Sequence, residues 1–482
     1  MLKEKSVAFM KKCSVRRYLP AALALMILCC PAVRAAGEEI VAPTCTQDGY
    51  ALMRHPDGTV TARRNMPASG HSFGPWTFDG EEGEGFRVCL YCGEEERFSV
   101  RREGLPRLLL QEDGGTVFSA LEGSGENDFS CEARLLCARE AGSGYPGRVF
   151  DLQLFEDGAG EVPLELTFPG WQTADRYTLT ACDTDPSAAR RLTADALWRE
   201  AAAARPSVPE RLRMLPLLGG EDGFPVTVWL NGSFSGLYML SPRFSGSLFG
   251  MYRDENAAVA AACGSGADTL FRGNASLSAQ DGGWTAVWQG AGTGQPARSR
   301  LNQLIRFVME SDGPTFRNTL DRYLDVDAAV DAMLFSYALG LTGNGIPVML
   351  YYGDRWIPSL CGTEDVFGAE AGGLSFRGAA ENLPSRTDGG WNPGTDNLLF
   401  ERLLRLFEDR VAARYRTLRE TVLTQEHILS VIDGQMGRIP SAAYALNARR
   451  ASGLLTAEEE RARIMDYLRE RLPLLDAAFG GK

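Results

Sequence analysis

Apolar residues in this 482-residue chain keep two different spacings, and the change from one to the other restricts the fold to a β-rich part followed by a helical part. From residue 105 to about 360 the alternation is that of strands. Residues 148–154, a turn at Glu156 to Gly160 and residues 164–168 predict one hairpin. Residues 226–230, Asn231-Gly232 and 236–240 predict a second, the Asn-Gly pair serving hairpin geometry alone. Residues 348–352, Gly353-Asp354 and 355–357 predict a third. Helices are expected over 187–203, 298–310 and 316–339. In the last quarter Leu399, Leu403, Phe407, Val411, Tyr415, Leu418 and Val422 recur every three or four residues, a helical stripe facing a core. Thr456 with Glu459 reads as a capping box, and Ile464, Leu468, Leu472 and Phe479 continue the apolar face. These stripes are packing. His427, just after Thr424 at a helix start, is expected at the surface.

Residues 1–35 read as an export signal. Lys3, Lys5, Lys11, Lys12, Arg16 and Arg17 precede the apolar run 19–30, and Val33-Arg34-Ala35 is a small-x-small cleavage site. That run is shorter than the roughly 20 residues needed to span a bilayer. Met26-Ile27-Leu28 before Cys29 and Cys30 lacks the small residue of lipoprotein processing, so a soluble protein beginning near Ala36 is expected, outside the cytoplasm and without a transmembrane segment. Removing seven basic residues and one acidic one leaves 43 against 61, a net −18. A surface so acidic argues against nucleic acid or anionic membrane as a partner.

Residues 36–103 form a small module of different character, with Cys45, His55, His71 and the knuckle Cys89-Leu90-Tyr91-Cys92-Gly93. A segment with so little apolar material needs a staple, and Cys45, His71, Cys89 and Cys92 make a tetrahedral zinc set. A disulfide from Cys45 to either knuckle cysteine is the alternative outside the cytoplasm. Either role is structural, since four protein ligands leave no position open for a substrate. The segment resembles the degenerate Cys/His repeats of Firmicutes surface proteins, in Pro43-Thr44-Cys45, Cys89 to Gly93, and Ala68-Ser69-Gly70-His71-Ser72-Phe73-Gly74-Pro75-Trp76.

No lysine lies between Lys12 and Lys482, and after His71 the only histidine is His427. Lysine grips on phosphate, Schiff-base chemistry and histidine triads in the main body are thereby excluded. A GC-rich genome writing Arg for Lys explains the gap at the surface, but Arg is a poor substitute where a compact ammonium must sit between phosphates.

Several segments between residues 104 and 482 carry a family resemblance. Asp175 to Leu179 with Asp185-Pro186-Ser187 and Arg190-Arg191 looks like "Y.L…D.S..R", and Val226 to Leu240 is similar to "v.lNGey.GvY.l". Tyr323 to Ala328 resembles "y.Dvds", Leu341 to Asn344 "el.gN", and Trp356 to Gly368 stands where "kw…WDfD..fG" would. Together with the helical tail these resemble the spore-coat-protein-H (CotH) kinase family. The resemblance implies an α+β, atypical protein-kinase-like fold, with a β-rich N-terminal lobe and a helical C-terminal lobe.

The departures fall on what the resemblance implies to be the active site. The strand expected to bring a basic "KK.Y" reads Gly160-Glu161-Val162-Pro163-Leu164-Glu165-Leu166. The aspartate of "N.D" becomes Ile346 after Asn344, and Gly362 replaces the first aspartate of "WDfD". Glu364 takes the second aspartate's place beside Asp365, and Ser241 stands where a glutamate usually follows the "GvY.l" strand. Phosphoryl transfer is positioning and charge neutralisation, so these losses remove most of its basis. Glu364, Asp365 and Asn344 are the weak remaining catalytic candidates; the first two are adjacent carboxylates able to hold a divalent cation or to form a solvated acidic turn. The sequence reading is therefore an exported pseudokinase, a scaffold or regulator among envelope or spore-coat proteins, with ATP and Mg only if nucleotide binding persists. The alternative is a working secreted kinase with a divergent site; a carbohydrate-associated surface protein is a third reading, which the eight tryptophans permit. Arginine at the cleft would favour the enzyme and a filled cleft the scaffold.

Overall fold

The structure is a computed structural model and describes residues 37–55, 59–74, 76–79, 84–99, 105–113, 116–140, 148–205, 207–262, 284–292, 296–341, 346–370, 373, 375–388, 390–449 and 455–479. The export signal expected at 1–35 lies outside them. The chain divides into two compact units: residues 1–75 with 88–95, and residues 76–87 with 96–482.

In the small unit β1 (Gly37–Val41), β2 (Gly49–Arg54) and β3 (Val60–Met66) form an antiparallel sheet. Strands β4 (Thr77–Asp79), β5 (Glu84–Val88) and β6 (Glu95–Ser99) form another sheet, most of whose residues are counted with the large unit.

In the large unit β7 (Arg107–Asp113), β8 (Thr116–Glu122), β9 (Phe129–Glu140), β10 (Arg148–Phe155), β11 (Arg176–Ala181), β12 (Phe224–Leu230) and β13 (Ser233–Pro242) close into a barrel, in the order β10-β11-β13-β12-β7-β8-β9. The seam is the parallel pairing of β7 with β12, Thr227 facing Arg107. A closed barrel leaves no free edge, which relieves a β-rich part of the need for edge protection. The expected hairpin at Asn231-Gly232 is present, both residues having positive φ (50° and 81°). Asn231 does more than turn the chain: its Oδ1 accepts the Glu112 N–H at 2.9 Å and its own N–H donates to the Leu110 carbonyl, tying the turn to β7.

Residues 164–168 differ from expectation. They form no strand: backbone pairing with β10 is confined to the Phe155–Pro163 bridge and the Leu164 N–H to the Leu154 carbonyl, Phe168 instead packs on Tyr177 and Phe224, and the antiparallel partners of β10 are β9 and β11. Pro163 has no N–H to give a ladder, and the chain leaves β10 there.

Between β11 and β12 the chain inserts α1 (Arg190–Ala203) and the single turn α2 (Glu210–Arg213). A second sheet, order β15-β14-β16-β17, is made of β14 (Ala258–Ala262), β15 (Trp284–Gln289), β16 (Val348–Tyr351) and β17 (Trp356–Ser359), the last two being the expected third hairpin. Around it run α3 (Ala297–Glu310), α4 (Gly313–Thr319) and α5 (Val326–Leu339), then α6 (Leu398–Leu406), α7 (Glu408–Glu420), α8 (Gln425–Met436), α9 (Ser441–Ala448) and α10 (Ala457–Phe479). The class is thus α+β, with a closed barrel in place of a simple β lobe.

The single helix expected over 316–339 is two. Asp325 caps α5 through Oδ1 to the Ala328 N–H (2.9 Å), and residues 323–325 are spent on Trp356: Asp325 N–H donates to its carbonyl, and its N–H donates to the Tyr323 carbonyl. The 399–422 stripe likewise breaks at Phe407, between α6 and α7. Every residue of α5 except Asp327 is buried, which is why it lacks an amphipathic stripe. His427 lies half-exposed on α8, its Nε2 2.6 Å from Glu200 Oε2. Among the described residues no helix is long and apolar enough to cross a membrane.

The arginines do work that lysine could not. Arg402 donates to the carbonyls of Val308, Ser311 and Asp312 at the end of α3, and Arg471 to those of Tyr337, Ala379 and Glu381. Both are buried, and a planar fork of donors satisfies carbonyls left open after helix ends and, for Arg471, in the turn at residues 379–381. Asp331, fully buried on α5, receives Arg414 at 2.6 and 2.9 Å and Arg205 at 3.2 Å.

Helix α5 ends on Gly340 at φ +65°, where an added Cβ would collide with the Tyr467 hydroxyl. Gly340→Ala should lower unfolding free energy by about 2–3 kcal/mol, combining left-handed strain with overpacking. Chemical denaturation giving a loss below about 0.5 kcal/mol would show that α10 moves aside freely.

Candidate functional site

The knuckle forms because Gly93 adopts φ +79°, letting its N–H reach the Cys89 carbonyl at 3.0 Å, while Cys89 N–H donates to the Glu94 carbonyl. Leu90 N–H then bonds the Ser72 carbonyl and Gly70 N–H the Cys45 carbonyl, drawing the His71 and Cys45 segments onto the knuckle. As a result the ligand atoms of Cys45, His71, Cys89 and Cys92 all lie within 4.8 Å of one another. Cys45 Sγ is 3.7 Å from Cys89 Sγ, and Cys92 Sγ is 3.2 Å from His71 Nδ1. Zinc–sulfur bonds of about 2.3 Å in a tetrahedron put sulfurs about 3.8 Å apart, whereas a disulfide needs about 2.05 Å. The donor set and spacing fit a metal ion. Burial opposes ionisation of Cys89, but N–H groups of Cys92 and Tyr91 and the His71 ring bring its thiol down to about 5. Burial and the neighbouring sulfurs push Cys45 up to about 11.

In the large unit the turn Cys361 to Gly368 follows β17. Asp185 organises the facing end of α1: its carboxylate accepts from Ser187 Oγ (2.6 Å) and the Arg190 N–H (2.8 Å). Arg190, 1% exposed, donates to the Thr184 carbonyl and to Glu460 Oε1 at 3.1 Å. Glu460 also takes Arg463 at 2.7 and 2.9 Å, and Arg463 Nη1 donates to the Phe367 carbonyl at 2.7 Å. The Phe367-Gly368 turn, both residues at positive φ, is thereby tied to α1 and α10.

Arg191 reaches Glu221 Oε1 at 2.9 Å and Ser241 Oγ at 3.0 Å. Burial works against its charge, but Glu221, Glu364 and Asp195 outweigh burial and raise its pKa. Asp195, one turn along α1, is fully buried; burial first, then the Glu221 charge, holds its carboxyl well above the usual range. Burial lifts Glu221 too, opposed by Arg191 and the Ser241 hydroxyl.

Of the predicted residues, Glu364 lines a cavity of about 30 Å³ with Arg191, Asp185 and Cys182, and Asp365 lies half-buried beside it. Among the described residues neither joins a converging set of three metal-type donors. Asn344 lies outside the described residues; Ile346 is buried in the core. Sequence reasoning missed Glu221, Asp195 and Glu460. An Arg191–Asp195 spacing of four on a helix was a signal for the second.

An α+β body with an acidic turn pinned by buried ion pairs, and a separate Cys/His centre, define the class. Residues 218–475 match the family model described as CotH kinase protein, and the chain belongs to that family, whose members fit a kinase-like fold. No curated protein matches the chain.

Proposed function

We propose that this is an exported CotH-type protein that has lost phosphoryl transfer and acts by binding envelope or coat proteins, with zinc stapling its front module. The barrel and the helices after it correspond to the two lobes of the kinase-like fold. The observation that carries the reading is Gly362. It sits at φ +75° where the resemblance implies a metal-binding aspartate, and an added Cβ would lie 2.6 Å from Phe244 Cζ and 3.3 Å from Glu221 Oε2. The volume that such a side chain needs is occupied. The cavity shared by Arg191 and Glu364 has room for a water or two and no nucleotide. The arginines that could substitute for the missing lysine are spent on Glu221, Ser241, Glu460 and Thr184.

The test is calorimetric titration of the protein with ATP and Mg²⁺ or Mn²⁺, beside autophosphorylation of wild type, Glu364→Ala and Asp365→Ala. No heat of binding and no transfer above background are expected from any of the three. Transfer by wild type that both variants abolish would establish a divergent active kinase built on those two carboxylates.

A further inference from the structure

We propose that the Arg191 guanidinium is the resident cation of this acidic pocket, holding it closed to divalent metal ions. The inference rests on the reading above that the site binds no catalytic metal. Four observations carry it. Glu221, with its side chain 4% exposed, takes Arg191 at 2.9 Å, and Ser241 Oγ, fully buried, fixes the same guanidinium at 3.0 Å. Glu364 lines the cavity that Arg191 faces. Asp195 is 0% exposed and, among the described residues, makes no ion pair; its Oδ2 is 3.5 Å from the Gly362 nitrogen and its Oδ1 has no hydrogen-bond partner among them. Gly362 itself leaves Glu221 Oε2 3.3 Å from where its Cβ would be, so both acids approach the same glycine.

Glu221 on one side and Glu364 on the other set negative charge against Arg191, with the Asp195 carboxyl buried one turn along the same helix, and a guanidinium delivers one positive charge there with donors already directed. Hard divalent ions need oxygen ligands at about 2.1–2.6 Å with room around them. Arg191 takes both the charge and the room. Of the other arginines nearby, Arg199 spends Nη1 on the Glu221 carbonyl at 2.6 Å, and Arg190 is committed to Glu460. Removing Arg191 therefore leaves the acids uncompensated, and an added divalent ion restores the balance.

The experiment uses the full, zinc-loaded chain, because Mn²⁺ is the weakest competitor for thiolate sites and does not displace zinc. Free Mn²⁺ is counted by electron paramagnetic resonance in titrations of wild type, Arg191→Gln, Glu221→Gln and Arg191→Gln/Glu221→Gln. Arg191→Gln should bind one Mn²⁺ at least tenfold more tightly than wild type, and the double variant should lose it. A folded Arg191→Gln that binds no tighter than wild type overturns the inference and leaves the loss of catalysis standing. Tight binding by wild type that Glu221→Gln abolishes sinks the loss-of-catalysis reading instead. If Arg191→Gln is unfolded in chelator, about 10 mM Mn²⁺ must restore a cooperative thermal transition, by linkage; failure to do so also overturns the inference.

Discussion

Stripping metal from the Cys45, His71, Cys89 and Cys92 centre will unfold the small unit and spare the large one. The reason is the poverty of its core: among the described residues the only buried apolar side chains of that unit are Cys45 and Cys89, two of the ligands themselves. Ile40, Met53, Val60, Leu90 and Tyr91 are all exposed. A sheet of three short strands with no apolar face to bury cannot offset the entropy of ordering its chain. A structural zinc contributes on the order of 10–16 kcal/mol of binding free energy, which becomes folding free energy when no site exists in the unfolded chain. Purified protein should carry about one zinc at this centre. Amide exchange in β1, β2 and β3 should accelerate to unprotected rates on chelation, and Cys89→Ser should reproduce the effect. Zinc uptake should release the protons that the thiols of the unfolded chain keep at neutral pH, so affinity falls as pH is lowered. Absence of zinc together with a Cys45–Cys89 disulfide in mass spectra would replace the metal with a covalent staple.

That centre was readable in the sequence because ligand chemistry is a matter of residue type: few side chains other than cysteine and histidine suit zinc, and a CxxCG knuckle fixes its own geometry. The hairpins at Asn231-Gly232 and Gly353-Asp354 and the capping box were readable for the same reason, as local patterns; Thr456 N–H does meet Glu459 at 2.8 Å, and Glu459 N–H meets Thr456 Oγ1 at 3.2 Å. What could not be read depends on partners distant in the chain. Barrel closure needs β7 beside β12, a parallel pairing across 120 residues that neither strand's alternation announces. Asp325 ends a helical pattern only because Trp356 offers backbone groups there. Glu221 comes from the loop before β12, yet its carboxylate meets Ser241 at the end of β13 and Arg191 on α1. An acid missing at Ser241 was visible; one supplied from elsewhere in the chain was not.

Glu460→Gln should be among the most damaging single substitutions in the large unit, at about 3–5 kcal/mol, the usual consequence of stranding a buried charge. Its carboxylate is fully buried and holds Arg190, also fully buried, and Arg463, one-fifth exposed. A glutamine keeps the volume and one acceptor but removes the charge that both guanidinium groups face. Among the described residues Arg190 then keeps the Thr184 carbonyl and Asp185, 3.7 Å from its Nε, as direct partners. The consequence extends to the Phe367-Gly368 turn, because Arg463 reaches the Phe367 carbonyl from the position that Glu460 gives it. Glu459→Gln is the control: adjacent on α10 but exposed, it loses only part of a capping box and should be far milder. Urea unfolding of the two variants, with proteolysis near residue 367 as a local readout, separates the possibilities. Equal midpoints for Glu460→Gln and Glu459→Gln would show that water or Asp185 compensates Arg190, and that the tie between α1, the turn and α10 is not what holds this site in shape.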